Sequence, residues 1–217
     1  MSAPVAGLLL AAGAGRRLGG PKALVHIEGE SLARRGVRLL ASGGCAPVVV
    51  VLGAGARQAL AHDDLAPART VVNARWDDGM ATSLQAGLDA LEDDGVGAVV
   101  VALADQPLVG AEAVRRLVGA WREGAAVAVA AYDGAARNPV LLDRAWWRAA
   151  RKSATGDRGA RGLLRARPDL VTLVECGDTG AADDLDTPAD LAALGGRFPQ
   201  EYRHSHVPPT AESGRDS

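Results

Sequence analysis

Cysteine, one-sided charge and long hydrophobic runs are all scarce in this 217-residue sequence. The two cysteines, Cys45 and Cys176, lie far apart and form no C-x-x-C pair. That excludes a disulfide framework and fits small buried residues in a reducing compartment, the cytoplasm. Lys and Arg number 24 against 26 Asp and Glu, a net charge of -2. Nucleic-acid binders usually show a basic excess, so no nucleic acid is expected as a partner. No basic run marks a membrane surface, and the apolar N-terminal stretch Val5 to Ala14 is too short to span a bilayer. No positive residue precedes it as a signal peptide requires, so it reads as a buried first strand running into a loop. No internal repeat is present, and no Ser/His/Asp constellation for nucleophilic catalysis.

What the sequence does have is alternation. Strand-like apolar runs occur at Val5–Leu10, Pro47–Leu52, Thr70–Asn73, Ala98–Leu103, Ala126–Ala131 and Leu170–Val174. Most are continuous rather than alternating, which suits a parallel sheet covered on both faces. Between them, Met80, Leu84, Leu88 and Leu91 share one helical face, as do Val114, Leu117, Val118 and Trp121. The order predicts an α/β fold with a doubly wound, mostly parallel sheet, in one domain over residues 1–196. From residue 197 to 217 the composition turns polar and proline-containing, so a disordered tail is expected, with His204 and His206 solvated. Ligands in such folds bind beyond the carboxyl ends of the strands.

The loop after the first run is the sharpest feature: Leu10-Ala11-Ala12-Gly13-Ala14-Gly15-Arg16-Arg17-Leu18-Gly19-Gly20-Pro21-Lys22. Glycines let backbone N–H groups approach an anion, and arginine and lysine neutralise phosphate charge. Two common phosphate loops fail here. The P-loop G-x-x-x-x-G-K-[ST] is broken by Pro21 and by Ala23 where a hydroxyl belongs. The dinucleotide pattern G-x-G-x-x-G starts at Gly13 and Gly15 and fails at Leu18. Leu24–Ile27 reads as extended, with the next helix starting near Ser31.

Two acidic segments follow. Val99 to Gln106 is a buried strand ending in Asp105, and a desolvated carboxylate needs a partner. Near a phosphate loop that partner is Mg²⁺, with Mn²⁺ as an alternative; capping of the helix near Val109 is the plainer reading. Asp183-Asp184-Leu185-Asp186-Thr187-Pro188 offers a second ligand. Asp184 and Asp186 alternate and would share a side in extended structure. Asp184 is preferred as the metal ligand and Asp186 as structural, while Asp186 or Thr187 also suits a helix cap ahead of Pro188.

Asn73 to Leu84 opens a helix, whose N-terminus attracts anions; Asn73 suits the polar edge of a base, and Thr82 and Ser83 add hydroxyls or merely cap the helix. Gly156-Asp157-Arg158-Gly159-Ala160-Arg161 reads as a turn with a charged helix start.

Taken together, L-A-A-G-x-G-x-R-x-G-x-P-K, N-x-x-W-x-x-G-M-x-x-S-L, D-Q-P, N-P-V, G-D-x-G-A-R and D-x-D-T-P resemble the sugar-nucleotide and cofactor nucleotidyltransferases. The branch they are most similar to is the molybdenum cofactor cytidylyltransferases, over residues 5 to 195. The resemblance implies a Rossmann-like, GT-A-like fold. It implies that Leu10 and the backbone of Ala11, Ala12, Gly13, Ala14 and Gly15 hold base and phosphates, beside Arg17, Asn73, Gly79 and Ser83. Lys22 and Arg16 would contact the triphosphate and Asp105 the magnesium. Asn138, Asp157, Arg158 and Arg161 would face the acceptor, a molybdopterin-type cofactor. Ala12, where guanylyl-transferring relatives carry glycine, implies CTP over GTP. Tyr132 to Val140 resembles the family's G-x-x-x-N-P-V turn, in which Arg137 departs from the glycine of many relatives. A molybdenum hydroxylase or its maturation factor is the implied recipient. Two rivals stand: a guanylyltransferase or a transferase for another phosphorylated acceptor, and a cofactor-binding escort without chemistry.

Overall fold

Successive side chains on a strand point to opposite faces. The continuous apolar runs therefore feed two cores at once. In the computed structural model, which describes residues 3–194, β1 (Val5–Ala11) is buried along its whole length. Its Val5, Leu9 and Ala11 enter one core and Ala6, Leu8 and Leu10 the other. The same split holds for β4 (Val48–Leu52) and β6 (Ala98–Leu103). Helices α1 (Leu32–Ser42) and α4 (Ala111–Arg122) cover the first face. On the second face lie α3 (Met80–Ala90), α5 (Trp147–Ser153) and α6 (Arg161–Ala166).

Adding β5 (Arg69–Val72), β7 (Val127–Tyr132), β8 (Ala135–Asp143) and β9 (Val171–Glu175) gives a seven-stranded sheet in the order β5-β4-β1-β6-β8-β7-β9. β1 pairs parallel with both β4 and β6, so the strand order reverses beside β1. That reversal opens a crevice at the carboxyl ends of β1 and β6, where α/β folds bind ligands. Helices come close to β1 on both faces because glycines allow it. A Cβ at Gly36 of α1 would stand 2.4 Å from Leu9 Cδ1, and one at Gly87 of α3 would stand 2.3 Å from Leu8 Cδ1.

The sheet is thus mostly parallel and doubly wound, as the alternation predicts. One strand departs from that pattern. Residues 132–140, expected as a turn, close β7 and make up most of β8, which runs antiparallel between β6 and β7. Its first half is exposed and polar, which masks the apolar second half, Val140 to Leu142. Leu24–Ile27 is extended only in part. Lys22–Leu24 forms a single 3-10 turn, and a two-residue strand β2 (His26–Ile27) pairs antiparallel with β3 (Glu30–Ser31). Ser31 then caps α1, its Oγ accepting from Arg34 N at 3.1 Å. Helices α2 (Ala56–His62) and α7 (Pro188–Ala193) complete the described chain. No helix among the described residues is long and apolar enough to cross a membrane. The expected tail from residue 197 lies outside the described residues, and so do His204 and His206.

Candidate active site

The loop after β1 turns on Gly15. Its φ of 55° is left-handed, and a Cβ there would lie 2.0 Å from the Gly20 carbonyl oxygen, so no other residue fits. The Gly15 carbonyl accepts from the N–H groups of Leu18, Gly19 and Gly20, and Lys22 N donates to Gly13 O at 3.1 Å. These bonds fold the loop back and bring Lys22 under the end of β1.

There Lys22 meets two carboxylates. Its Nζ donates to Asp105 Oδ2 at 2.5 Å and to Asp186 Oδ1 at 2.8 Å. The Lys22 and Asp105 side chains are only 16% and 19% exposed, against 36% for Asp186. Burial pulls the Lys22 pKa down, but Asp105 and Asp186 outweigh it and the ammonium is held above its ordinary value. For Asp105, burial wins over the pull of Lys22, and its pKa is raised. Asp186, more exposed and bonded to Lys22, is pushed down. Asp105 Oδ1 is buried and has no hydrogen-bond partner.

The segment after β9 is tethered by Leu185, whose N–H donates to Asp105 O at 2.7 Å. Asp184 and Asp186 then serve different neighbours. Asp186 reaches Lys22 and also Arg17, whose Nη2 donates to its Oδ2 at 2.8 Å. Asp184 accepts from the buried Gln106, Nε2 to Oδ1 2.8 Å. The cap of α7 is Thr187: its side chain accepts from Asp190 N, and Asp190 Oδ2 accepts from the backbone N–H groups of Asp186 and Thr187. That leaves the Asp186 carboxylate free for the cations.

Three cavities meet around the ends of β1, β6 and β8. The first, about 340 Å³, is lined by Leu10 to Ala14, Arg16, Lys22, Gly79, Ser83, Asp105 and Asp157. Trp76 and Met80, which sequence reasoning left without a role, line it too. Ala12 and Trp76 both press on Gly53, where a Cβ would come within 2.8 Å and 2.4 Å of their Cβ atoms. The second cavity, also about 340 Å³, shares Leu10, Met80 and Leu103 with the first and adds Asn138, Arg158 and Arg161. The third, about 610 Å³ and polar, holds Asp184 and Gln106 and shares Asn138 and Arg161 with the second.

Some expected residues stand apart from the first cavity. Asn73 is 7% exposed and spends its side chain internally: Nδ2 donates to Thr82 Oγ1 (2.8 Å) and Ser83 Oγ (3.0 Å), and Oδ1 accepts from Arg75 N. It anchors the start of α3 and presents no free edge to a base. Gly15 and Arg17 act through the turn and through Asp186. Asp157, expected on the acceptor side, by contrast lines the first cavity and sits beside the N-terminus of α3, with Met80 N donating to its Oδ1 at 3.4 Å. The chain can come this close because Gly79 has no side chain; a Cβ there would meet Gly156 C at 2.5 Å.

A glycine loop with a lysine at the end of one strand, and a carboxylate at the end of the neighbouring parallel strand, form a crevice suited to a phosphate-bearing ligand. The chain belongs to the family of MobA-like NTP transferase domains, whose family model matches residues 7–171. It is therefore a nucleotidyltransferase by family. It is 40% identical over 198 residues to a protein named nicotine blue oxidoreductase from Paenarthrobacter nicotinovorans, covering 88% of this chain and 96% of that one. It is 33% identical over 130 residues to a probable molybdenum cofactor guanylyltransferase from Opitutus terrae, covering 60% of this chain and 62% of that one. Among solved structures, a homologue of the Mycobacterium tuberculosis protein Rv0371c, from Mycobacterium sp. strain JC1, superposes with a TM-score of 0.75. The two are 27% identical, and the match covers 90% of this chain and 98% of that one.

Proposed function

We propose that the protein transfers CMP from CTP to the terminal phosphate of a molybdopterin-type cofactor. An acceptor phosphate oxygen attacks the α-phosphorus of CTP, the bond from that phosphorus to the bridging oxygen breaks, and pyrophosphate leaves. The single observation that carries this reading is the Lys22–Asp105 pair inside the cavity of the glycine loop. The nucleophile is already anionic, so no protein base is needed. What the chain supplies is position and charge.

The residues fit a divalent cation. The partnerless Oδ1 of buried Asp105 and the nearby Asp186 carboxylate are hard oxygen donors, and Mg²⁺ takes one or two carboxylates with water and phosphate completing its shell. When bound by Asp105 and Asp186, the metal supplies Lewis-acid neutralisation of the phosphates. This choice makes Asp186, rather than Asp184, the second carboxylate. Lys22 neutralises charge developing at the α-phosphate. Arg16, with no ion pair among the described residues, binds the triphosphate tail. The backbone from Leu10 to Ala14 holds base and phosphates, and Ala12 narrows the pocket toward a pyrimidine. Asn138, Arg158 and Arg161 face the acceptor, while Asp157 stands at the nucleotide cavity. The relative named a probable molybdenum cofactor guanylyltransferase supports the acceptor class, and the dinucleotide product would suit a molybdenum hydroxylase in the cytoplasm.

Pyrophosphate release with purified protein, Mg²⁺ and molybdenum cofactor tests this, with CTP and GTP run separately. Release with CTP well above GTP supports the cytidylyl reading. Release with GTP keeps the transfer and overturns the role of Ala12. Tight cofactor binding without release from either nucleotide makes the protein an escort.

A second reading has one observation in its favour. The relative at 40% identity is named an oxidoreductase, and here an apolar cavity adjoins the nucleotide cavity. Oxidation of NADH or NADPH with a planar dye as acceptor, without pyrophosphate release from CTP, would replace transfer with reduction.

A further inference from the structure

The second cavity has an apolar floor, including Leu10, Val101, Leu103 and Val129, beneath four arginines: Arg137, Arg158, Arg161 and Arg165. All four arginines are exposed, and none forms an ion pair with a described residue. Elsewhere Arg17, Arg69, Arg116, Arg144, Arg151 and Arg167 each meet a carboxylate, whereas here four arginines without one gather around a single cavity. Four like charges over an apolar floor repel one another, and an anion relieves that repulsion. A guanidinium also stacks on planar π-systems while hydrogen-bonding an anionic edge.

Arg137 reaches this position because β8 is irregular. The ladder pairs Val140 with Val129 and Ala136 with Ala131, so β8 spends four positions where β7 spends two. Residues 137 to 139 lie across from the single residue Ala130. Bulges of this kind re-aim side chains beside active sites. The result is that Arg137 and Asn138 both line the wall shared by the apolar and polar cavities.

We infer that Arg137 is a specificity-determining residue. It selects a flat heteroaromatic acceptor that carries an anionic group attached directly to its ring system. Arg165 supports the same selection from α6. The inference rests on the second cavity being the acceptor's. It needs neither CTP nor turnover, so the two readings can fail separately.

Intrinsic pterin fluorescence tests it on the full chain, with neutral pterin and pterin-6-carboxylate as probes. Wild type is expected to bind the carboxylate at least tenfold more tightly than pterin. Arg137→Gly removes most of that preference, Arg137→Lys restores part of it, and Arg165→Gln lowers it less. Affinity for CTP with Mg²⁺ stays within about twofold of wild type in Arg137→Gly, since Arg137 does not line the first cavity. Equal binding of the two probes by wild type overturns the proposal. So does Arg137→Gly keeping the preference, or losing both probes and CTP together. Selective probe binding without any pyrophosphate release would leave Arg137 in its role and sink the transferase reading instead.

Discussion

The two sides of the sheet carry the same fold by different means. From β5 to β6 every pairing is parallel, every inner strand is wholly or nearly wholly buried, and the polar groups of the site sit in the loops beyond the strand ends. From β8 to β9 the sheet takes in one antiparallel strand whose first half is exposed and bulged, and the polar groups sit on the strand itself. A loop beyond a buried strand builds a rigid, repeatable cradle for a nucleoside triphosphate. A bulged strand builds a wall whose side chains change without disturbing the core. On the proposed function, the first side would carry the chemistry of transfer and the second the choice of acceptor.

The largest test of that division is removal of the central pair. Lys22→Ala is expected to cut turnover by roughly 10²–10³-fold, the scale of one lost preorganised electrostatic group, with an unchanged circular-dichroism spectrum. Asp105→Asn should be as inactive, yet it should melt at or above the wild-type temperature. The sign follows from burial. The folded pKa of Asp105 is raised, so the fold favours its neutral form. The stability tied to that group is present below the unfolded pKa and lost as pH rises through the folded one. An amide keeps the neutral form at pH 7. A lower melting temperature for Asp105→Asn would mean that the Lys22 pair, not desolvation, dominates.

Next in size is the contrast between the two acidic neighbours. Mn²⁺ binding, followed by electron paramagnetic resonance in the presence of CTP, should weaken about tenfold or more in Asp186→Ala, about the loss of one to two kcal/mol of a metal contact. Asp184→Ala should change it far less, because that carboxylate serves Gln106. The reverse order would restore Asp184 as the metal ligand. The pH dependence sharpens the same point. Metal affinity should fall on acidification first through Asp105, whose pKa burial raises, whereas Asp186, whose pKa the Lys22 hydrogen bond lowers, stays ionised longer.

What was legible in the sequence follows the same division. Six strands of the large sheet read correctly because each held an apolar stretch, continuous in the doubly covered β1, β4, β6 and β7 and shorter in the exposed edge strands β5 and β9. Lys22 and Asp105 could be proposed because both follow such runs. β8 could not be read, since Arg137 and Asn138 interrupt it and its apolar part is short, Val140 to Leu142 following Pro139. Asn73 looked like a base-reading residue and is instead spent on Thr82 and Ser83. No local pattern distinguishes an amide facing a ligand from one bracing a helix start. Asp186 had a usable signal. Thr187-Pro188-Ala189-Asp190 has the spacing of a capping box, which hands the cap to Thr187 and leaves Asp186 for another partner.

The smallest expected effects come from two helix glycines, and they carry opposite signs. Gly87 lies in α3 against β1, and a Cβ there would sit 2.3 Å from Leu8 Cδ1 in a core without slack. Gly87→Ala is therefore expected to cost about 1–3 kcal/mol, the usual penalty for overpacking, and to shift α3, whose first turn lines the nucleotide cavity. Gly119 lies inside α4, and a Cβ there would meet nothing within 4 Å. Gly119→Ala should stabilise by roughly 0.5–1 kcal/mol, the helix-propensity difference alone. Urea unfolding of both variants measures the two shifts. Because α4 touches neither cavity of the transfer site, Gly119→Ala should leave CTP affinity where it was, while Gly87→Ala should weaken it. Equal effects on nucleotide binding would show that the two helices are coupled through the sheet, and the division between a chemical side and a selective side would lose its structural basis.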